Sequence, residues 1–193
     1  MLRKLNFLKK TIEKPSEEDD IAFLQKSAEE VCDELLSAEL AHLNIQHYAY
    51  DTKQAVAELG LDDEMVQQLV DDYVAQIIKA ILQFDEYMET LKDSQAKELT
   101  LDYTPFRELA HKNLGVARNL RIKDAEALLY ELMKKDDLEY LLTCLEALKV
   151  CAIKLRPKCA YDTIKLIKVK RILSLFNVHE ERVISVLVFL LAF

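Results

Sequence analysis

Residues 62–91 read DDEMVQQLVDDYVAQIIKAILQFDEYMETL, a stretch with neither glycine nor proline. Met65, Val66, Leu69, Tyr73, Val74, Ile77, Ile81, Phe84 and Met88 recur at a helical spacing. One apolar face therefore runs unbroken for about seven turns of a 3.6-residue period. A strand would alternate every second residue and rarely exceed about ten. Asp62 stands where an N-cap is needed, with a carboxylate that can accept from the unpaired amides of the first turn. The segment is a long helix, and the rest of the chain has to supply partners for its apolar face.

The punctuation on either side agrees. Two glycines and three prolines occur in 193 residues, where average usage would give about 23. A sheet protein needs turn residues every 8–12 positions or so. Sandwiches, barrels and most doubly wound folds are thereby excluded. Gly60 and Gly115 stand alone, so a glycine-rich phosphate loop is excluded too. Ser16 can cap a helix in which Ile21, Leu24, Ala28, Val31 and Leu35 form the inward stripe. A short helix fits 51–59. Thr104 is read as the cap, and Pro105 as the first residue, of a helix reaching about residue 122. Shorter helices fit 124–134 and a stretch opened by Asp136 or Asp137, with Leu138, Leu141, Leu142, Leu145, Leu148 and Cys151 inward until Pro157. Two more fit 161–176 and 179–191. The expectation is an all-α antiparallel helix bundle.

Half of the residues are hydrophobic (51%) and 31% are charged, enough for a sizeable core. The net charge is −8, unevenly spread. Residues 149–182 carry nine basic and three acidic side chains, so the acidity is concentrated before them. Duplex binding rests on neutralising phosphates, so an acidic body argues against nucleic acid as a partner. Cys32, Cys144, Cys151 and Cys159 show neither a C-x-x-C pair nor metal spacing, and reduced thiols in a cytoplasmic protein are expected. The first residues, MLRKLNFLKK, lack the apolar stretch of a signal peptide. The tail VISVLVFLLAF (183–193) is short of the ~20 residues of a spanning helix. It is apolar nearly all round and has to pack on its own bundle or on a second copy, the second case giving a homodimer through terminal helices. A membrane surface ranks last, since Ser185 is its one polar residue.

Residues 104–122, TPFRELAHKNLGVARNLRI, hold the candidate chemistry. On a helical wheel Phe106, Leu109, Ala110, Asn113, Ala117 and Leu120 fall within about 60° of one direction, the core seam. His111 and Gly115 fall on the opposite side, with Arg107 and Arg118 on the histidine's flank. A glycine inside a helix costs about 1 kcal/mol against alanine. Placed at i+4, it clears the surface beside the imidazole for a close approach. A neutral imidazole nitrogen is a competent nucleophile toward phosphorus, and nearby cations steady the phosphate that results.

The stretch AHKNLGVARNL (110–120) resembles the signature A-H-x-L-K-G-x-A-x-x-L of histidine-containing phosphotransfer (HPt) domains. Ala110, His111, Gly115, Ala117 and Leu120 match in register. The helix ELGLDDEMVQQLVDDYVAQI (58–77) and the helix pair at 124–155 are similar to the flanks of that motif in the family. The resemblance covers about residues 50–156. It implies a four-helix HPt-like core at 46–156, with a basic lead-in and helix at 1–45 and a helical extension at 157–193. It further implies a phosphoryl carrier without autonomous enzyme activity, relaying a phosphoryl group between receiver-domain aspartates of two-component signalling through His111. The partners would be a response-regulator receiver domain or a histidine kinase. The Mg²⁺ that such transfer requires would sit on the receiver, so no metal or other cofactor is expected here.

Two positions depart from the signature. Its apolar residue two after the histidine is Asn113, and its basic residue three after is Leu114. Arg118, Arg107 or Lys112 would then have to stabilise the phosphate. The departures also support a second expectation, a pseudo-HPt bundle that binds a signalling partner without phosphotransfer. A third, a di-iron site built from the two E-x-x-H motifs Glu39–His42 and Glu108–His111, requires both to face inward. The wheel turns Glu108 and His111 outward.

Overall fold

The computed structural model describes residues 16–175, every element of which is helical. The helices are α1 (Glu17–Ser37), α2 (Lys53–Leu59), α3 (Asp63–Ala96), α4 (Thr104–Asn119), α5 (Lys123–Lys134), α6 (Leu138–Leu155) and α7 (Pro157–Leu175), with a 3₁₀ turn at Ala41–Leu43. The expectations for 1–15, for the second terminal helix and for the tail 183–193 lie outside the described residues. The protein is an all-α helix bundle.

Local chemistry sets the helix ends. Ser16 and Asp19 cap α1 reciprocally, the serine hydroxyl accepting from the Asp19 amide and the aspartate accepting from the Ser16 amide. Asp62 accepts from the Met65 amide at 2.8 Å, and Asp137 accepts from Tyr140 at 2.8 Å. Gly60 closes α2 at φ +65°, a left-handed conformation that costs glycine nothing. Pro157 has two effects. It pushes Arg156 out of the helical region, ending α6 at Leu155, and it opens α7 as the first helical residue. That helix therefore starts four residues earlier than the sequence suggested.

The core is one continuous cluster reaching from Ala28 to Ala160. α6 lies at its centre, packed against α1, α3, α5 and α7, and buries ten of its residues. α4 packs against α5 and α3, and α7 covers α3 and α1. Three expectations shift. In α1 the buried line is Ala28, Cys32 and Leu36, with Val31 and Leu35 at its edges, because α6 meets that face. In α3, Met65 and Leu69 are exposed, at 49% and 39%. The first turns of α3 are apolar on two adjacent lines, and their neighbours cover the Val66–Val70 line only. α3 also continues to Ala96, five residues past the stretch read as its helix.

Candidate functional site

α4 is fixed against the bundle by its inner face. Phe106 meets Phe84 of α3 edge to face, with centroids 5.0 Å apart, a geometry worth about 0.5–1.5 kcal/mol beyond burial. Ala110 and Ala117 are fully buried, and their small size lets α4 approach closely. The helix begins one residue earlier than expected. Thr104 is its first residue rather than its cap, its amide held by the Asp102 carboxylate at 2.9 Å, and Pro105 follows. At the far end Arg121 turns left-handed at φ 59°. Two tyrosines from the segment before α2 then bond the last carbonyls. Tyr48 donates to Arg121 O at 2.7 Å, and Tyr50 donates to Leu120 O at 2.9 Å.

Asn113 is 1% exposed, and both ends of its amide are bonded. Gln76 of α3 donates to its Oδ1 at 2.7 Å, and its Nδ2 donates to the Leu109 carbonyl at 2.8 Å. A polar residue on the core seam thus becomes a specific α3–α4 clasp. Leu114, at 1% exposure, lies in the core. The position that is basic in the HPt signature therefore faces inward here and contributes packing.

His111, Lys112, Gly115 and Arg118 lie on the outward face of α4, exposed. A Cβ added at Gly115 would meet nothing within 4 Å, so the surface beside the imidazole is open. The three candidate phosphate stabilisers are arranged differently from one another. Arg107 is ion-paired with Asp136, ahead of α6, and its guanidinium also stacks over the Tyr103 ring at 5.2 Å. Arg118 donates from Nε to Glu126 of α5 at 2.9 Å. Lys112 lines a groove of about 380 Å³ against α3, together with Lys79, Gln76 and Asn113. The helical period sets that groove on the flank of α4 away from Arg107 and Arg118. The structure therefore brings His111 and Gly115 together, flanks them with two carboxylate-bound arginines, and turns Lys112 elsewhere. Sequence reading missed Asp136 and Glu126. No local signal marks them: Glu126 reaches Arg118 across the turn between α4 and α5, and Asp136 lies beyond the whole of α5 from Arg107.

The two E-x-x-H motifs are not brought together. Glu39 accepts from Thr143 of α6 at 2.9 Å, and His42 bonds the Tyr140 hydroxyl at 3.1 Å. Glu108 and His111 are on the exposed side of α4. Among the described residues no group of three or more His, Cys, Asp or Glu side chains is placed to hold a metal ion, and no helix is long and apolar enough to cross a membrane. In comparisons with known proteins, no family model matches the chain, nor does any curated protein or solved structure.

Proposed function

We propose that the protein is a histidine phosphotransfer protein in which His111 receives a phosphoryl group from the phospho-aspartate of a receiver domain and passes it to another. The observation that carries this reading is the exposed imidazole in mid-helix with the bare surface of Gly115 one turn on. An imidazole nitrogen of His111 attacks the phosphorus in line. The new N–P bond forms as the bond to the aspartyl oxygen breaks, and the carboxylate leaves with the electron pair. Little covalent assistance is needed, since positioning and charge neutralisation dominate phosphoryl transfer. The receiver supplies Mg²⁺, and this chain supplies the nucleophile and a clear approach. Arg107 and Arg118 would have to exchange Asp136 and Glu126 for phosphate oxygens.

The experiment is incubation with a receiver domain phosphorylated on its aspartate. The expected result is an acid-labile, base-stable label on this chain that His111→Gln abolishes. Absence of label from wild-type protein, under conditions where the receiver transfers to another histidine carrier, would overturn the reading.

A second reading, docking without transfer, draws on the arginine ion pairs and the inward Leu114. It predicts that the receiver binds equally well to wild type and His111→Gln, with neither labelled.

A further inference from the structure

Cys32 of α1 and Cys151 of α6 are 119 residues apart in sequence, yet their sulfurs lie 3.7 Å apart in the core. Both are free thiols. Cys32 is 1% exposed and Cys151 is 4% exposed. The surroundings of Cys151 are less ordinary than those of a packed thiol. A cavity of about 530 Å³ runs down to it between Tyr48, Tyr50, Asp124 and Lys154. The Asp124 carboxylate lies beside the thiol and is oriented by the Ala125 amide at 2.8 Å. Deeper in, Asp124 and Cys151 share a small chamber with Tyr73. Its hydroxyl is buried and without a hydrogen-bond partner. A thiol next to a proton acceptor, an orphaned donor and a way in from solvent is equipped to meet a small oxygen-bearing molecule.

We propose that Cys32 and Cys151 are an oxidisable dithiol, converted by a small hydroperoxide entering this cavity into a disulfide that ties α1 to α6. Cys151 sulfur attacks the terminal, hydrogen-bearing oxygen of the hydroperoxide and gives up its proton to Asp124. The O–O bond breaks, the departing oxygen takes a proton by way of Tyr73 and Asp124, and Cys151 is left as a sulfenic acid. Cys32 sulfur then attacks the Cys151 sulfur. Hydroxide leaves with the Cys32 proton as water, and the disulfide remains. The two thiols are oxidised and the hydroperoxide is reduced to an alcohol, or to water when it is hydrogen peroxide. A disulfide needs its sulfurs at about 2.05 Å, so the pair has to close by less than a bond radius on each side of the two helices. The other thiols lack this arrangement. Among the described residues Cys144 has no thiol partner and does not line the cavity. Cys159 donates to the Asp71 carbonyl at 3.2 Å.

The test is to treat the full chain with hydrogen peroxide, then measure its intact mass and map its peptides without reduction. The expected result is loss of two hydrogens per chain, one linked peptide pair joining Cys32 to Cys151, and a melting temperature that rises and returns on adding dithiothreitol. Cys32→Ala should stop the reaction at a Cys151 sulfenic acid that dimedone traps, whereas Cys144→Ala should leave the crosslink unaffected. Should Cys32→Ala fail to fold, the wild-type map decides alone. An unchanged mass, a crosslink through Cys144 or Cys159, or a disulfide-linked dimer would overturn the proposal.

Discussion

Replacing His111 with glutamine should leave stability within about 0.5 kcal/mol of wild type, as for most exposed positions, while removing any phosphoryl label. Urea melts and the transfer assay read these two effects separately. Asn113 should behave in the opposite way. Asn113→Ala strips the acceptor from Gln76 and is expected to cost about 1–3 kcal/mol, seen as a lower urea midpoint with an unchanged slope. Asp124 offers a pH readout. Burial raises its carboxyl from the ordinary value, so its folded-state pKa exceeds that of the unfolded chain. Its contribution is complete below the unfolded value and is lost as pH rises through the folded one. Asp124→Asn should therefore be the more stable protein at neutral pH, with the advantage vanishing on acidification. At this scale the sequence was legible wherever helical period decides a side chain's direction, as for His111, Gly115 and the seam residue Asn113. It was silent on what holds a side chain from another element, such as Asp136 on Arg107 or Glu126 on Arg118.

Helix starts were mostly readable because capping is local chemistry. Ser16, Asp62 and Asp137 each stand just before their helix and accept the amide three residues on. The breadth of a buried face was harder to read. Met65 and Leu69 differ from Val66 and Val70 by one position, and only the packing of neighbouring helices decides which pair meets water. Gly115 permits a test within one element. It has helical backbone and open space around a would-be Cβ, so Gly115→Ala should stabilise the isolated protein by about 0.5–1 kcal/mol. The same methyl group would stand on the docking surface, and receiver affinity measured by calorimetry should fall. Unaltered affinity would leave that glycine without a role in partner binding.

At the scale of the molecule, α6 is the element on which the others depend. Leu148 is fully buried within it. Truncation to alanine should cost about 2–5 kcal/mol, and thermal unfolding should remain a single transition because no helix pair has a core of its own. The all-α class could be read from glycine and proline scarcity and from the 62–91 period. The central position of α6 could not. Its broad apolar face says that more than one helix meets it, and only the assembled fold says which. α1 and α7 share the cluster with residues 46–156, so the two flanking segments contribute to the same core.

The placement of α1 against α6 also has a consequence for synthesis. The face carrying Ala28, Cys32 and Leu36 leaves the ribosome long before the helix that buries it. With Cys151 119 residues after Cys32, translation leaves that face without its partner for on the order of ten seconds. Through this interval the nascent chain presents an apolar helix to whatever is nearby. A holdase that shelters such surfaces would find α1 available until α6 emerges.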